Sequence, residues 1–237
     1  MSVVSKLAVE TNTTHFSSTC FKKLQEIMYT EKYSSGSTIY WEGDPNENLY
    51  FLIEGNVKLT KLSEDGKDLT MYYFFPGDIF GEFDPHQKQI SVFTAEAMDA
   101  CVIGVIQQKD LEVLLWQNGD LAIEFTQWMS HMQHYTQLKV RDLLFHGKNG
   151  ALASMLIRAS NTYGVKTGSS IRITKKFTNN ELANLIGATR ETVNRMLSKF
   201  KRDQLIRYEN GQIEILNLAE LKNLCRCEEC PLGICRL

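Results

Sequence analysis

Residues 178–197 read Thr178-Asn-Asn-Glu-Leu-Ala-Asn-Leu-Ile-Gly-Ala-Thr-Arg-Glu-Thr-Val-Asn-Arg-Met-Leu197. Two short helices and the break between them follow from the order of these side chains. Thr178 and Glu181 have the spacing of a capping box, in which each side chain caps a free backbone N–H of the other residue. A helix is therefore expected over Leu182–Ile186. Gly187 breaks it, and Thr189 can cap a second helix from Arg190. The small Ala183, Gly187 four residues on and apolar Val193 six further fit a helix-turn-helix. Small residues let the helices cross closely, glycine permits the turn, and valine fills the shared core. An ordinary helical hairpin would show the same spacing.

The second helix makes the distinction. Arg190, Glu191, Asn194 and Arg195 stand at i, i+1, i+4 and i+5 and project from one side of its first turns. Arginine can hold guanine O6 and N7 bidentately, and a carboxylate can accept from cytosine N4. A solvated charged face is the plain alternative. Downstream, Asn210-Gly211 lies between alternating apolar runs, the pattern of a tight hairpin whose two central residues need positive φ. Lys175, Lys176, Lys199, Lys201 and Arg202 are candidate phosphate contacts. Double-stranded DNA is the expected partner, with Thr178 and Thr189 among the candidate contact residues.

Charge agrees. Residues 1–140 hold 10 lysines, no arginine and 19 carboxylates, net −9; residues 141–237 hold 16 basic and 9 acidic groups, net +7. A basic half beside an acidic half suits a polyanion on one side only. The 237 residues suggest two modest domains. No apolar run is long enough to cross a membrane, and Met1–Thr14 lacks the layout of a signal peptide, so a cytoplasmic protein is expected. No Ser/His/Asp grouping, Walker motif or catalytic carboxylate pair emerges, so an enzyme is not expected.

From Gly36 to Val105 the pattern is short apolar runs with glycine-rich turns, implying an antiparallel sandwich or roll. Glu64-Asp65-Gly66 and Phe75-Pro76-Gly77-Asp78 are two such turns. The period then changes. Leu121, Phe125, Trp128, Met132 and Tyr135 recur at 4-3-4-3 spacing, one stripe on a long helix ended by Gly147. The stripe can cover its own domain, but its bulk favours a seam against a second copy. Further helix is expected over Leu152–Tyr163 and loop over Gly164–Ser170.

Four of the six cysteines crowd into the last thirteen residues, Cys225, Cys227, Cys230 and Cys235, at C-x-C-x2-C-x4-C spacing. Such spacing converges thiolates on one soft metal centre. An iron–sulfur cluster, a four-cysteine zinc clip and a disulfide switch all remain open on spacing alone. An electron carrier is a further alternative, but it leaves the helix-turn-helix without a purpose.

Together these segments resemble the Crp/Fnr family of bacterial transcription regulators, over roughly Gly36 to Leu218. The most specific parts are Glu42-Gly43-Asp44, Ile53-Glu54-Gly55, Pro76-Gly77-Asp78, Gly81-Glu82 and Arg190-Glu191-Thr192-Val193-Asn194-Arg195. The resemblance implies an α+β fold: an N-terminal β-roll (1–118), a dimerisation helix (119–147), a winged helix-turn-helix (148–218) and a cysteine tail (219–237). It also implies a homodimer on palindromic DNA and RNA polymerase as a partner. The cyclic-nucleotide receptors of the family need an arginine after the Gly-Glu segment. Here that place reads Gln89-Ile90-Ser91, and no arginine precedes Arg141, so no cyclic nucleotide is expected.

The tail is most similar to the Bacillus-type Fnr branch. There a C-terminal [4Fe–4S] cluster is held by three cysteines and an aspartate at the end of the long helix. Cys227, Cys230 and Cys235 match the three. Asp142, the sole acidic residue between Glu124 and Glu181, stands at the fourth place; Cys225 is its rival, and Cys20 and Cys101 are weaker ones. The resemblance then implies an oxygen-responsive activator of anaerobic genes, such as those of nitrate respiration. It would bind DNA with its cluster and release the tail in oxygen. Arg190, Glu191 and Arg195 match the base-reading residues of the catabolite activator branch, which implies TGTGA-like half-sites. Enteric Fnr, with its cysteines near the N-terminus, lacks the first arginine and reads TTGAT.

Overall fold

The computed structural model describes residues 10–64, 66, 68–83 and 90–237. Its residues group into two compact units, one of 11–62 with 70–133, the other of 134–237 with 63–69.

The first unit opens with a single 3-10 turn (Asn12–His15) and α1 (Ser18–Glu26) and continues through β1 (Met28–Tyr33), β2 (Thr38–Tyr40), β3 (Asn48–Glu54), β4 (Val57–Leu62), β5 (Asp68–Phe74), β6 (Ile79–Gly81), β7 (Thr94–Ala97) and β8 (Cys101–Gln107). The strands form two four-stranded sheets, ordered β1-β8-β3-β6 and β2-β7-β4-β5. The roll is thus as expected, with one strand more at its start. Met28–Tyr33 is mostly polar and half exposed, and it pairs along its length with β8. β3 shows how the roll packs. Tyr50 and Leu52 join Tyr40, Phe74, Phe80 and Ile103 in one cluster. Leu49, on the opposite face, joins Leu24, Ile79 and Ile106 in another. A strand covered on both faces reads as a continuous apolar run. Gly55, with φ +88°, ends β3 where a Cβ would meet the Ala100 carbonyl oxygen at 2.6 Å. At the next turn Gly66 donates to the Ser63 carbonyl at 2.9 Å, while Asp65 lies outside the described residues.

The second cluster is closed by α2 (Gln108–Gln117) and by the first half of α3 (Gly119–Phe145). Here one expectation is corrected. Leu121, Phe125 and Trp128 are buried against Phe16, Leu24, Leu49 and Ile106 of their own roll, and Met132 packs on both clusters. Tyr135 is buried too and donates its hydroxyl to the Arg236 carbonyl at 3.2 Å. The stripe is therefore not the seam between copies. Periodicity shows that a helix has an apolar face, not what lies across from it. The face turned to solvent carries Ile123, 62% exposed, and Leu144, 71% exposed, with Met129 and Val140.

The second unit continues with α4 (Gly147–Tyr163), β9 (Gly164–Thr167), β10 (Ser170–Ile173), α5 (Asn179–Ile186), α6 (Arg190–Arg202), β11 (Ile206–Glu209), β12 (Gln212–Ile215) and α7 (Leu218–Leu224). α4 starts five residues before the expected Leu152. Residues 164–170, expected as loop, instead supply β9 and the turn into β10. These strands are short and half exposed, so no apolar run betrays them. Pairing with β12 completes a sheet ordered β11-β12-β10-β9.

The two short helices form as their caps predict. Thr178 accepts from the Glu181 N–H at 3.1 Å, and Glu181 accepts from the Thr178 N–H at 2.8 Å. Gly187 turns the chain at φ +57°, and the Ala188 N–H returns to the Ala183 carbonyl at 3.0 Å. Ala183, Val193 and Leu197 are buried between α5 and α6. Thr178→Ala is expected to cost about 1 kcal/mol, since it removes the hydroxyl that accepts from the Glu181 N–H, while the bond from the backbone N–H of residue 178 to the Glu181 carboxylate remains. Denaturant unfolding of the variant measures this; an unchanged midpoint would mean that solvent replaces the box without loss.

Candidate nucleic-acid interface and cysteine tail

α6 is divided cleanly. Val193, Met196, Leu197 and Phe200 face inward, whereas Arg190, Glu191, Asn194 and Arg195 are exposed. Thr189 starts the helix by accepting from the Thr192 N–H at 3.3 Å. The Glu191 carboxyl is held below the usual carboxylate range by its own N–H at the helix start, then by the Thr189 hydroxyl and by Arg190. It is an ionised acceptor at neutral pH.

Beside this face runs an open cleft lined by Lys176, Phe177, Thr178, Asn179, Asn180, Arg190, Tyr208, Asn210 and Gly211. It joins the starts of α5 and α6 to the tip of the β11–β12 hairpin. Asn210 and Gly211 have φ of +50° and +80°, as an Asn-Gly turn requires. Sequence reasoning missed two residues of the cleft. Tyr208 donates to Asn179 Oδ1 at 2.8 Å, and Asn179 reaches Asn194 on α6 at 3.4 Å. A tyrosine within the wing strand was the one available signal. Lys175 lies over the rings of Tyr163 and Phe177 at 5.6 and 5.3 Å, and its neighbour Lys176 is exposed.

The tail folds back on its own unit. Asn217 caps α7 by accepting from the Glu220 N–H at 3.0 Å. Cys225 ends the helix, buried, with its thiol against the Lys222 carbonyl at 3.5 Å. Arg226 and Glu229 then take left-handed φ of +46° and +56°, and the Ile234 and Cys235 N–H groups close a turn on the Pro231 carbonyl. Cys227, Cys230 and Cys235 are free thiols of intermediate exposure. Cys20 and Cys101 are buried in the roll.

Asp142 is neither at the surface nor an idle charge at a helix end. It is 4% exposed and links α3 to α4 through Arg141, Ser154 and Arg158, and the two arginines in turn reach the tail. Its Oδ1 accepts from Arg141 at 2.8 and 3.2 Å. Its Oδ2 accepts from Arg158 at 3.1 Å and from the Ser154 hydroxyl. Burial alone would raise its carboxyl, but Ser154, Arg158 and Arg141 outweigh burial and hold it below the usual range. Arg141 also pairs with Glu228, and Arg158 donates to the Ile234 carbonyl at 2.9 Å. Lys139 is buried nearby. Burial, and then Arg158, push its amine down to about 7, against the opposing pull of Asp142. A cavity of about 20 Å³, enough for one water, lies among Tyr135, Lys139, Asp142, Ser154, Arg158 and Leu237.

The four candidate ligands share one electrostatic neighbourhood. Burial raises the Cys235 thiol; Arg158 pulls it down, while Cys230, Cys227 and Asp142 push it up. Burial, then Cys227 and Asp142, push Cys225 up to about 12. Among the described residues, no three His, Cys, Asp or Glu side chains stand ready to close on a single metal ion. A cluster spreads its ligands over several irons and does not require that cage. In kind the donors suit such a group: three soft thiols, one harder carboxylate and two arginines to offset their charge.

Residues 30–118 match the family model of a cyclic nucleotide-binding domain, and residues 150–224 that of a Crp-like helix-turn-helix domain. Over 223 residues the chain is 38% identical to the anaerobic regulatory protein of Bacillus subtilis (strain 168), covering 93% of this chain and 94% of that one. It is 29% identical over 209 residues to the CRP-like cAMP-activated global transcriptional regulator of Mycobacterium tuberculosis (strain ATCC 25618 / H37Rv), covering 86% and 90%. The fold is similar to that of the c-di-GMP responsive global regulator CLP of Xanthomonas campestris, with a TM-score of 0.72 and 19% identity over 84% and 99% of the two chains. Gln89, at the place where an arginine would meet a cyclic phosphate, lies outside the described residues.

Proposed function

The chain belongs to the Crp/Fnr family of transcription regulators, and we propose that it binds palindromic DNA as a homodimer in anaerobic cells and loses that affinity in oxygen. The observation that carries this reading is the docking of the cysteine tail on α3 and α4, with Asp142 at the junction. The likeness to an anaerobic regulatory protein supports it.

Cys227, Cys230, Cys235 and Asp142 are the proposed ligands of a [4Fe–4S] cluster. When bound, that group supplies an oxygen-labile joint between the tail and the end of α3. The chain's own residues do the rest. Arg141 and Arg158 orient the Asp142 carboxylate and offset thiolate charge. Asp142 already accepts four hydrogen bonds, so as a ligand it gives one of them up. Its corner of the site is then the weakest. α4 leads from this junction to α5: the Lys148 ammonium donates to the Ile186 and Gly187 carbonyls at 3.0 and 2.8 Å and so holds the turn before α6. A change at the junction thus reaches the base-reading helix through packed elements of one unit.

On DNA, Arg190, Glu191, Asn194 and Arg195 would read bases, and Lys176, Lys199, Lys201 and Arg202 would meet phosphates. Two copies would place their α6 helices in successive major grooves, about 34 Å apart. The solvent face of α3 is the proposed seam. In a two-fold interface each substitution acts twice, so Ile123→Glu is expected to weaken self-association about tenfold or more, near 1.4 kcal/mol. Sedimentation under anaerobic conditions measures this; an unchanged dimer would place the seam elsewhere. Anaerobic purification followed by an absorption spectrum and iron and sulfide analysis tests the function as a whole. A colourless, iron-free protein with full DNA affinity would refute it.

A further inference from the structure

The last four residues are held by contacts that involve no cysteine sulfur. Three polar side chains along one side of α4 reach the backbone of the tail. Arg158 donates to the Ile234 carbonyl at 2.9 Å, Asn161 to the Cys235 carbonyl at 2.6 Å, and Thr162 accepts from the Leu237 N–H at 3.1 Å. From α3, Tyr135 donates to the Arg236 carbonyl at 3.2 Å, and its ring lies 5.7 Å below the Arg158 guanidinium. Ile234, Arg236 and Leu237 are each under 10% exposed. The segment from Arg226 to Leu232 is held differently. It keeps the Cys227 N–H bond to Lys222 at 2.9 Å. Its side-chain ties are the ion pairs Arg141–Glu228 and Lys222–Glu229, whose carboxylates are 64% and 78% exposed. Exposed pairs of this kind contribute little, whereas buried charge-assisted bonds to a carbonyl are strong.

We propose that Arg158 is a positioning residue that keeps Ile234–Leu237 docked on α4 whether or not a cluster is present, so that loss of the cluster frees only the loop carrying Cys227 and Cys230. This rests on the reading that these thiols and Asp142 hold a cluster. Arg158 is suited to the task because one guanidinium serves two partners. Nη2 holds Asp142, and Nη1 holds the peptide beside Cys235. The proposed carboxylate ligand and one proposed thiolate ligand therefore stay in register without iron. Half the site is pre-assembled, and the switch becomes a local ordering of one loop. This differs from release of the whole tail, which the resemblance alone suggested.

Amide hydrogen exchange on cluster-free protein, stripped with a chelator under anaerobic conditions, tests the proposal without DNA binding as its readout. In the parent chain, residues 234–237 are expected to stay protected while 228–230 exchange freely. Arg158→Ala should remove protection at 234–237, leave α5 and α6 protected, and slow reconstitution with ferrous iron and sulfide about 10–100-fold. Arg158→Lys should restore part of both, since it keeps the charge but loses the fork. If Arg158→Ala fails to fold, Asn161→Ala removes only the bond to the Cys235 carbonyl and should still lower protection there. Free exchange at 234–237 in the parent, or unaltered protection in both Arg158→Ala and Asn161→Ala, would overturn the proposal. A protected tail in a protein that never takes up iron would instead sink the cluster reading and leave the docking intact.

Discussion

Cys227→Ala, Cys230→Ala and Cys235→Ala are each expected to yield colourless protein from anaerobic purification, with specific DNA binding reduced to the level of unrelated sequence. That gap is about 10³–10⁷-fold for specific regulators, so the effect is all-or-none in a binding assay. Each thiol would close one corner of the site. Cys20→Ala and Cys101→Ala are expected to keep both properties, because those thiols lie in the two clusters of the roll. Any cost there is one of packing, and unfolding rather than spectroscopy would show it. The fourth ligand is separated by Cys225→Ala and Asp142→Asn. Asparagine keeps the shape of the hub while removing its charge. An alanine there would also remove every acceptor that Asp142 offers to Arg141, Ser154 and Arg158, whereas the asparagine oxygen keeps one. Loss of colour in Cys225→Ala, with unchanged oxygen sensitivity in Asp142→Asn, would assign the fourth ligand to Cys225.

Arg190→Ala is expected to weaken binding to a TGTGA-like half-site by about 1–3 kcal/mol, roughly fivefold to more than a hundredfold. The loss should fall on the guanine that the arginine contacts and should relax preference at that position. Arg190 opens α6 and lines the cleft beside the wing, where its exposed guanidinium is free to enter a major groove. Neighbouring Glu191 is ionised and aimed from the same turn. A uniform loss on every sequence, with a shallower salt dependence, would make Arg190 a phosphate contact instead.

These two sites differed in how far the bare sequence revealed them. The helix-turn-helix was legible because its signals are local. A capping box, a left-handed glycine and an Asn-Gly turn each act within four residues, and each is realised in the backbone. The stripe from Leu121 to Tyr135 was legible as a helix face but not as a cover for the roll, since its partners Leu49, Ile79 and Ile106 are remote in sequence. The β9–β10 hairpin was missed because four-residue strands with half-exposed side chains carry no periodic signal. The tail shows the limit most plainly. Its cysteines announce themselves, yet what holds it are the carbonyls of Ile234, Cys235 and Arg236, and a carbonyl leaves no mark in the sequence. Asp142 entered as an expectation through resemblance alone. Its burial among Arg141, Ser154 and Arg158 needed the fold.

We propose that one chain both holds an oxygen-labile group on its tail and reads DNA only while holding it. Anaerobically purified protein should contain iron and acid-labile sulfide in equal amounts and bind a palindrome of TGTGA-like half-sites. A measured exposure to air should remove colour and specific affinity in parallel, along one time course. Affinity that survives complete loss of iron would show that DNA reading does not depend on the cluster.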